Sequence, residues 1–284
     1  MDVVKTIPEV KSRVAEWRAQ GLSVGLVTTM GYLHAGHQSL IKRAVEQNDR
    51  VVVTVFVNPT QFGPTEDLDA YPRDLDHDAK LAQEVGADLL FNPEPAEMYP
   101  EGFGAHVMVD GLTAHLDGLA RPVHFGGVCT VLTKFFHIVA PDRAYFGQKD
   151  AQQLAIVKKM VADLNFPLQI VGCPIVREPD GLAMSSRNTY LSPEERTAAL
   201  CLSRSIFAGQ KLVENGERNA QTVIDAMTKI ISAEPMARID YVAMVDNHTM
   251  EDIDVIKGDV LCAIAVYINE HVRLIDNFMI DDVQ

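Results

Sequence analysis

The chain has 284 residues, 47% of them hydrophobic, which is ample for a buried core in one large or two modest domains. Thirty-nine acidic against 25 basic residues give a net charge of −14, and that balance argues against a nucleic-acid partner. Four scattered cysteines, Cys129, Cys173, Cys201 and Cys262, form no C-x-x-C pair, so zinc and dithiol chemistry have no support, and buried reduced thiols in the cytoplasm are expected.

The N-terminal "MDVVKTIPEVKSRV" carries charges throughout and lacks the apolar core of a signal peptide. The longest apolar runs, "VVVTVFV" and "LCAIAVYI", fall far short of the roughly 20 residues a membrane span needs, so no membrane partner is expected. "SVGLVTT" (23–29) reads as a buried strand. Residues 37–47 then place Leu40, Ile41, Ala44 and Val45 on one helical face. "VVVTVFV" (51–57) is a β-branched strand stopped by "NP", and 74–86 is helical. "ADLLFNP" is another strand. After a Gly-rich passage, 127–139 reads as a buried helix, "RAYFG" as a short strand, 150–165 as an amphipathic helix and 168–176 as the next strand. Alternation of this kind predicts an α/β fold, a doubly wound parallel sheet of Rossmann-like type, over residues 1–176.

The pattern changes after residue 176. "REPDGLAMSSRNTYLSP" is polar and loop-like. Ser192, Pro193 and Glu195 are a capping box opening one long helix, and a second helix follows at about 219–233. "IDYVAMVD", "VLCAIAVYI" and "VRLIDNFMI" read as strands. Residues 177–284 are therefore expected to form a smaller α+β lid domain.

Ligands of doubly wound sheets bind beyond the carboxyl ends of the strands, and the unusual residues gather there. "TMGYLHAGH" holds the first crossover turn. Gly31 and Gly36 let the backbone approach a ligand, and His34 and His37, at i and i+3, face one point if the turn is helical. A helix start with two imidazoles suits phosphate oxygens; the plain alternative is a pair of surface or helix-capping histidines. Asn58 and Gln61 in "NPTQF" suit a polyol or carboxylate, although an ordinary polar loop explains them too. In "GQKDAQQL", Gly147 follows a strand and Asp150 can cap the next helix. Lys149 gains nothing structural from sitting at a helix start, which favours an anionic ligand. Gln153 lies one turn further in. Ser185, Ser186 and Arg187 in "DGLAMSSRN" are able to clamp phosphates, but alone the loop is also a common kind of linker.

The turn is neither a G-x-G-x-x-G fingerprint nor a Walker A loop. It resembles the HIGH-type motif of the nucleotidyltransferase superfamily. "TMGYLHAGHQSL", "VFVNPTQFGPTEDLDAYPRD", "RPVHFGGVCTVLTKFFHIVAPDRAYFGQKDAQQL" and "VREPDGLAMSSRNTYLSPEER" together resemble the pantothenate synthetase (pantoate–β-alanine ligase) family from residue 29 to residue 196, and the last third more loosely. Thr28, Ala35, Val123 and Gly126 depart from the family's usual residues. The resemblance implies a ligase that uses ATP with Mg²⁺ to join pantoate and β-alanine through a pantoyl adenylate. It implies that His34, His37 and Lys149 are catalytic. Met30, Gly31, Gly36, Gly147, Gln148, Asp150, Val176, Met184, Ser185, Ser186 and Arg187 would complete the ATP site with them. Gln61, Gln153 and Asn58 would hold pantoate and β-alanine, and the protein would be a homodimer of the cytoplasm. The protein ligands of the metal are not implied. Three other readings share the motif: a nucleotidyltransferase with a nucleotide-containing product, a class I aminoacyl-tRNA synthetase fragment, which the charge disfavours, and a non-catalytic nucleotide sensor.

Overall fold

A computed structural model describes residues 1–64 and 66–283. The first compact unit comprises residues 1–148 and 156–174, the second 149–155 and 175–284.

In the first unit, strands β1 (Asp2–Val4), β2 (Val24–Thr29), β3 (Arg50–Val55), β4 (Leu89–Phe91), β5 (Arg143–Gly147) and β6 (Gln169–Cys173) form one parallel sheet in the order β1-β4-β3-β2-β5-β6. This is the expected doubly wound sheet. Its strands are apolar on both faces because helices cover both. The helices are α1 (Ile7–Ala19), α2 (Ala35–Gln47), α3 (Leu75–Glu84), the short α4 (Pro95–Met98) and α5 (Leu116–Ala120), and α6 (His124–Val139). Helix α7 (Ala151–Asp163) begins in the second unit and ends in the first. Leu40, Ile41 and Ala44 of α2 pack with Val27, Val53 and Tyr145 of the sheet, as their spacing predicts, whereas Val45, expected on the same face, is exposed.

The sequence of strands reverses between β2 and β5, whose neighbours lie on opposite sides. Val27 pairs with Tyr145, so Thr29 and Gly147 end adjacent strands at this switch point, the usual ligand crevice of such a sheet.

Several elements differ from expectation. β1 and α1 escape the periodicity reading, because α1 buries only Val10, Val14 and Trp17 among many charges. α6 starts at His124 rather than 127, since its first turn is itself buried. The strand expected at 168–176 stops at Cys173, before Pro174, which has no N–H to extend the ladder.

The second unit contains α8 (Pro193–Ala198), α9 (Leu200–Glu214), α10 (Ala220–Ser232) and an antiparallel sheet β7 (Ala237–Asp246), β8 (Gly258–Ile268), β9 (Val272–Val283) in that order. The Ser192–Glu195 capping box is present: Ser192 N donates to Glu195 Oε2 at 2.8 Å and Glu195 N to Ser192 Oγ at 3.2 Å. The single helix expected after it is two, α8 and α9, separated at Ala199. Leu202, Ile206, Val223 and Met227 of the helices share a core with Ile264 and Val266 of β8. All four cysteines are buried thiols, and among the described residues no helix is long and apolar enough to cross a membrane.

Candidate active site

The turn after β2 is built by polar groups that release the chain from the sheet. Thr29 Oγ1 donates to Thr54 O at 2.8 Å and accepts from Gly31 N at 3.1 Å. Gly31 has φ +91°, and a Cβ there would lie 2.9 Å from Asp78 Oδ2 and 3.0 Å from Val55 Cγ1, so only glycine fits. Tyr32 follows at φ +51°. Asp78, 1% exposed on α3, accepts from Tyr32 N at 2.9 Å and Leu33 N at 2.6 Å. Burial raises its carboxyl pKa above the usual carboxylate range, against the two N–H groups that pull it down. Asp78 is a support of the turn that sequence reasoning missed; nothing distinguished it within "DLDHDAKL" from a solvated helix charge.

This brace delivers the two histidines to the start of α2. His34 is the N-cap: its Nδ1 accepts from Gly36 N at 3.1 Å, while its own N–H donates to His37 Nδ1 at 3.3 Å. The ring centroids are 4.1 Å apart. Each Nδ1 is thus an acceptor for a backbone N–H, and the proton of each neutral imidazole sits on Nε2. The histidines are helix caps, and the capping is what fixes their tautomers and sets two Nε2–H donors side by side.

Beyond β3, Asn58 is 1% exposed and its amide is fully engaged. Nδ2 donates to Gln61 Oε1 and to Gly127 O, both at 3.1 Å, and Oδ1 accepts from Tyr99 Oη at 2.7 Å and Thr60 Oγ1 at 3.0 Å. With Oε1 held by Asn58, Gln61 turns Nε2 toward Met30 Sδ at 3.1 Å. Sulfur is a weak acceptor, so this contact satisfies the amide N–H only weakly. Gln61 and Met30 are therefore brought together, with Asn58 behind them.

His124, for which the sequence suggested no role, holds the same turn. Its Nδ1 lies 3.0 Å from Gln61 O, and it is 8% exposed. Burial, aided by the Arg121 guanidinium, pushes its pKa down to about 4. The folded state keeps this ring neutral through the range in which an unfolded histidine, of pKa near 6.5, takes a proton. Its contribution to stability is therefore lost as pH falls from about 6.5 to about 4, by about 3 kcal/mol in all. We expect the denaturation midpoint of His124→Gln to fall less between pH 7 and pH 4.5 than that of the unaltered chain. Parallel pH profiles would exclude His124 as the source.

Gly147 and Gln148 belong to the first unit, and the second carries Lys149, Asp150, Gln153, Val176 and Met184–Arg187. Lys149 and Asp150 lie in a 3₁₀ turn at Gln148–Asp150, with Lys149 Nζ 3.9 Å from Asp150 Oδ1. Gln153, in the first turn of α7, is half-buried. Val176 and Met184 face each other across a tight hairpin, Met184 N donating to Val176 O at 3.0 Å. Ser185 caps the 3₁₀ helix Ser186–Tyr190, its Oγ accepting from Arg187 N at 3.3 Å. Ion pairs of Arg196 with Glu178 (3.1 Å) and Asp180 (2.8 Å) brace this loop, so it is tied rather than a loose linker.

Fold and turn together place the chain among doubly wound α/β proteins built around an H-x-G-H helix start. A family model described as pantoate-beta-alanine ligase matches residues 2–279. A pantothenate synthetase of Ruminiclostridium cellulolyticum is 62% identical over 278 residues, covering 98% of each chain. The crystal structure of pantothenate synthetase from Thermus thermophilus superposes with a TM-score of 0.93 at 46% identity, covering 98% of this chain and 99% of that one. That of the Francisella tularensis pantoate-beta-alanine ligase, complexed with beta-gamma ATP and beta-alanine, gives a TM-score of 0.79 at 32% identity, covering 98% and 97%. The chain belongs to the pantoate–β-alanine ligase family.

Proposed function

We propose that the chain joins pantoate and β-alanine to give pantothenate, with ATP converted to AMP and pyrophosphate. The observation that carries the mechanism is the pair of capped histidines, whose Nε2–H groups are fixed as donors. A carboxylate is a poor acyl donor because oxide is a poor leaving group. One pantoate carboxylate oxygen attacks the α-phosphorus, the bond to the bridging oxygen breaks, and pyrophosphate leaves with the electron pair. Charge grows on the phosphate oxygens during this step, and preorganised N–H donors stabilise that growth more than the ground state. His34 and His37 act here as hydrogen-bond donors through Nε2–H, His37 foremost, and Lys149 neutralises phosphate charge. The β-alanine amine, as the free base, then attacks the acyl carbon; AMP departs and the new ammonium loses a proton.

Met30, Gly31, Gly36, Gly147, Gln148, Asp150 and Val176 are assigned to the nucleotide, and Met184, Ser185, Ser186 and Arg187 to its phosphates. Gln61 and Gln153 hold pantoate, Gln61 also serving β-alanine, with Asn58 fixing the Gln61 amide. Among the described residues no cluster of three His, Cys, Asp or Glu side chains is able to hold a metal. Mg²⁺ therefore suits this chain as part of the substrate, bound by the phosphates of ATP, where it screens their charge. A homodimer in the cytoplasm completes the reading.

The test is pantoate-dependent exchange of labelled pyrophosphate into ATP, with Mg²⁺ and without β-alanine. Exchange is the expected result, because the adenylate forms before the amine is needed. AMP release only when β-alanine is present, with no exchange, would overturn the two-step order. Silence in both assays would overturn the ligase reading.

A further inference from the structure

Two adjacent polar residues, Asp276 and Asn277, are buried in the middle of β9, at 2% and 3% exposure. Alternation along the strand puts Asp276 on the same face as Leu274 and Phe278, which belong to the helix-covered core. A carboxylate in such a place needs a partner. Arg177 supplies it with a two-pronged contact, Nη1 to Oδ2 at 2.7 Å and Nη2 to Oδ1 at 3.0 Å, while stacking over Phe207 at 5.0 Å. Arg177 also donates to Gly181 O at 3.1 Å and pairs with Ala183 across the hairpin that leads into Met184–Arg187.

Asn277 points to the other face. Its Nδ2 donates to the backbone carbonyl of Lys149 at 2.7 Å, and its own N–H donates to Asp276 Oδ1 at 2.8 Å. One short stretch of β9 thus grips the turn of Lys149 with one residue and the base of the serine loop with the next. A buried amide is a costly way to fill a strand position unless its N–H groups find acceptors, and the Lys149 carbonyl is such an acceptor.

We infer that Asn277 is the positioning residue for Lys149, holding the lysine's backbone from a strand that the Arg177–Asp276 pair locks in register. This rests on the proposed role of Lys149 toward ATP phosphate. Asn277 itself touches no reacting atom. It fixes the origin of a long, flexible side chain, so that less freedom is lost when the ammonium meets phosphate.

The test is a double-mutant cycle of Asn277→Ala and Lys149→Ala, read as kcat and KM for ATP in pyrophosphate exchange, with ATP affinity by titration as a second readout that needs no turnover. Asn277→Ala alone is expected to lower kcat/KM for ATP by about 10–100-fold. In a chain already lacking the lysine side chain, it is expected to cost less than about threefold, because residues that act as a unit are non-additive. Equal fold-losses in both backgrounds would overturn the inference. Asn277→Asp, of the same shape but with no N–H for the carbonyl, is expected to behave as the alanine variant does. If neither variant folds, Asn277 serves stability alone and the inference fails. Absent exchange in the unaltered chain, with no AMP release when β-alanine is added, would refute the ligase reading instead, and the affinity cycle would still decide the role of Asn277.

Discussion

Replacing His37 by alanine should lower kcat for pantoate-dependent pyrophosphate exchange by about 10²–10³, the usual loss of a transition-state hydrogen-bond donor. The change should fall on kcat more than on KM for ATP, since the Nε2–H gains its strength only as the phosphate oxygens become more negative. Alanine removes a second thing. The His34 N–H, which donates to His37 Nδ1, loses its acceptor at the helix start, at a cost of about 1 kcal/mol. Two further substitutions separate these effects. Asparagine places an oxygen near the position of Nδ1 and should restore stability without restoring rate. Glutamine places an N–H near the position of Nε2 and should recover part of the rate if His37 acts by hydrogen bonding. If glutamine is as slow as alanine and no less stable, His37 does more than donate a hydrogen bond. Near-normal kcat in the alanine variant would remove His37 from the chemistry.

Asp78→Ala should strongly destabilise the first unit. It leaves the N–H groups of Tyr32 and Leu33 without the acceptor they share, and orphaned buried donors cost about 1–3 kcal/mol each. Gly31 and Tyr32, both at positive φ, then lose the Asp78 brace of a turn that local propensity does not favour. The thermal midpoint should fall by about 5–15 °C. The rate should fall as well, because the histidines hang on this turn. Asp78→Asn is a sharper probe: one amide oxygen still accepts one N–H, while the amide nitrogen confronts the other. Its stability should lie between those of the alanine variant and the unaltered chain. A fully stable, fully active Asp78→Ala chain would show that the turn after β2 holds itself.

The sequence carries the parts of this architecture that repeat locally. The apolar runs of β2 and β3 and the one-sided pattern of α2 need only their own residues to be read. His34-x-Gly-His37 is legible for the same reason, since glycine and a histidine pair are rare together at a strand end. What escapes such reading is support from a distance. Asp78 lies 46 positions from Tyr32 and looks, in its own helix, like any solvated acid. His124 grips a carbonyl 63 positions away. Asn58 looks in the sequence like an open ligand group, and only the partners converging on it from Gly127 and Tyr99 show it as a buried brace. Short contacts that join remote segments leave no periodicity behind. The charged surface of α1 hides its three-residue buried stripe by a related route: too few apolar positions stand above the background.

The Asn277 hydrogen bond spans 128 positions in the chain. On a ribosome adding about 5–20 residues each second, that is roughly 6–25 s between the emergence of Lys149 and that of the residue that anchors it. The sheet of the first unit is complete long before then, since its last strand ends at Cys173. A nascent chain therefore passes through a stage in which the histidine pair has its scaffold and the lysine turn does not. Synthesis itself delays the anchoring of the Lys149 turn until β9 has been made.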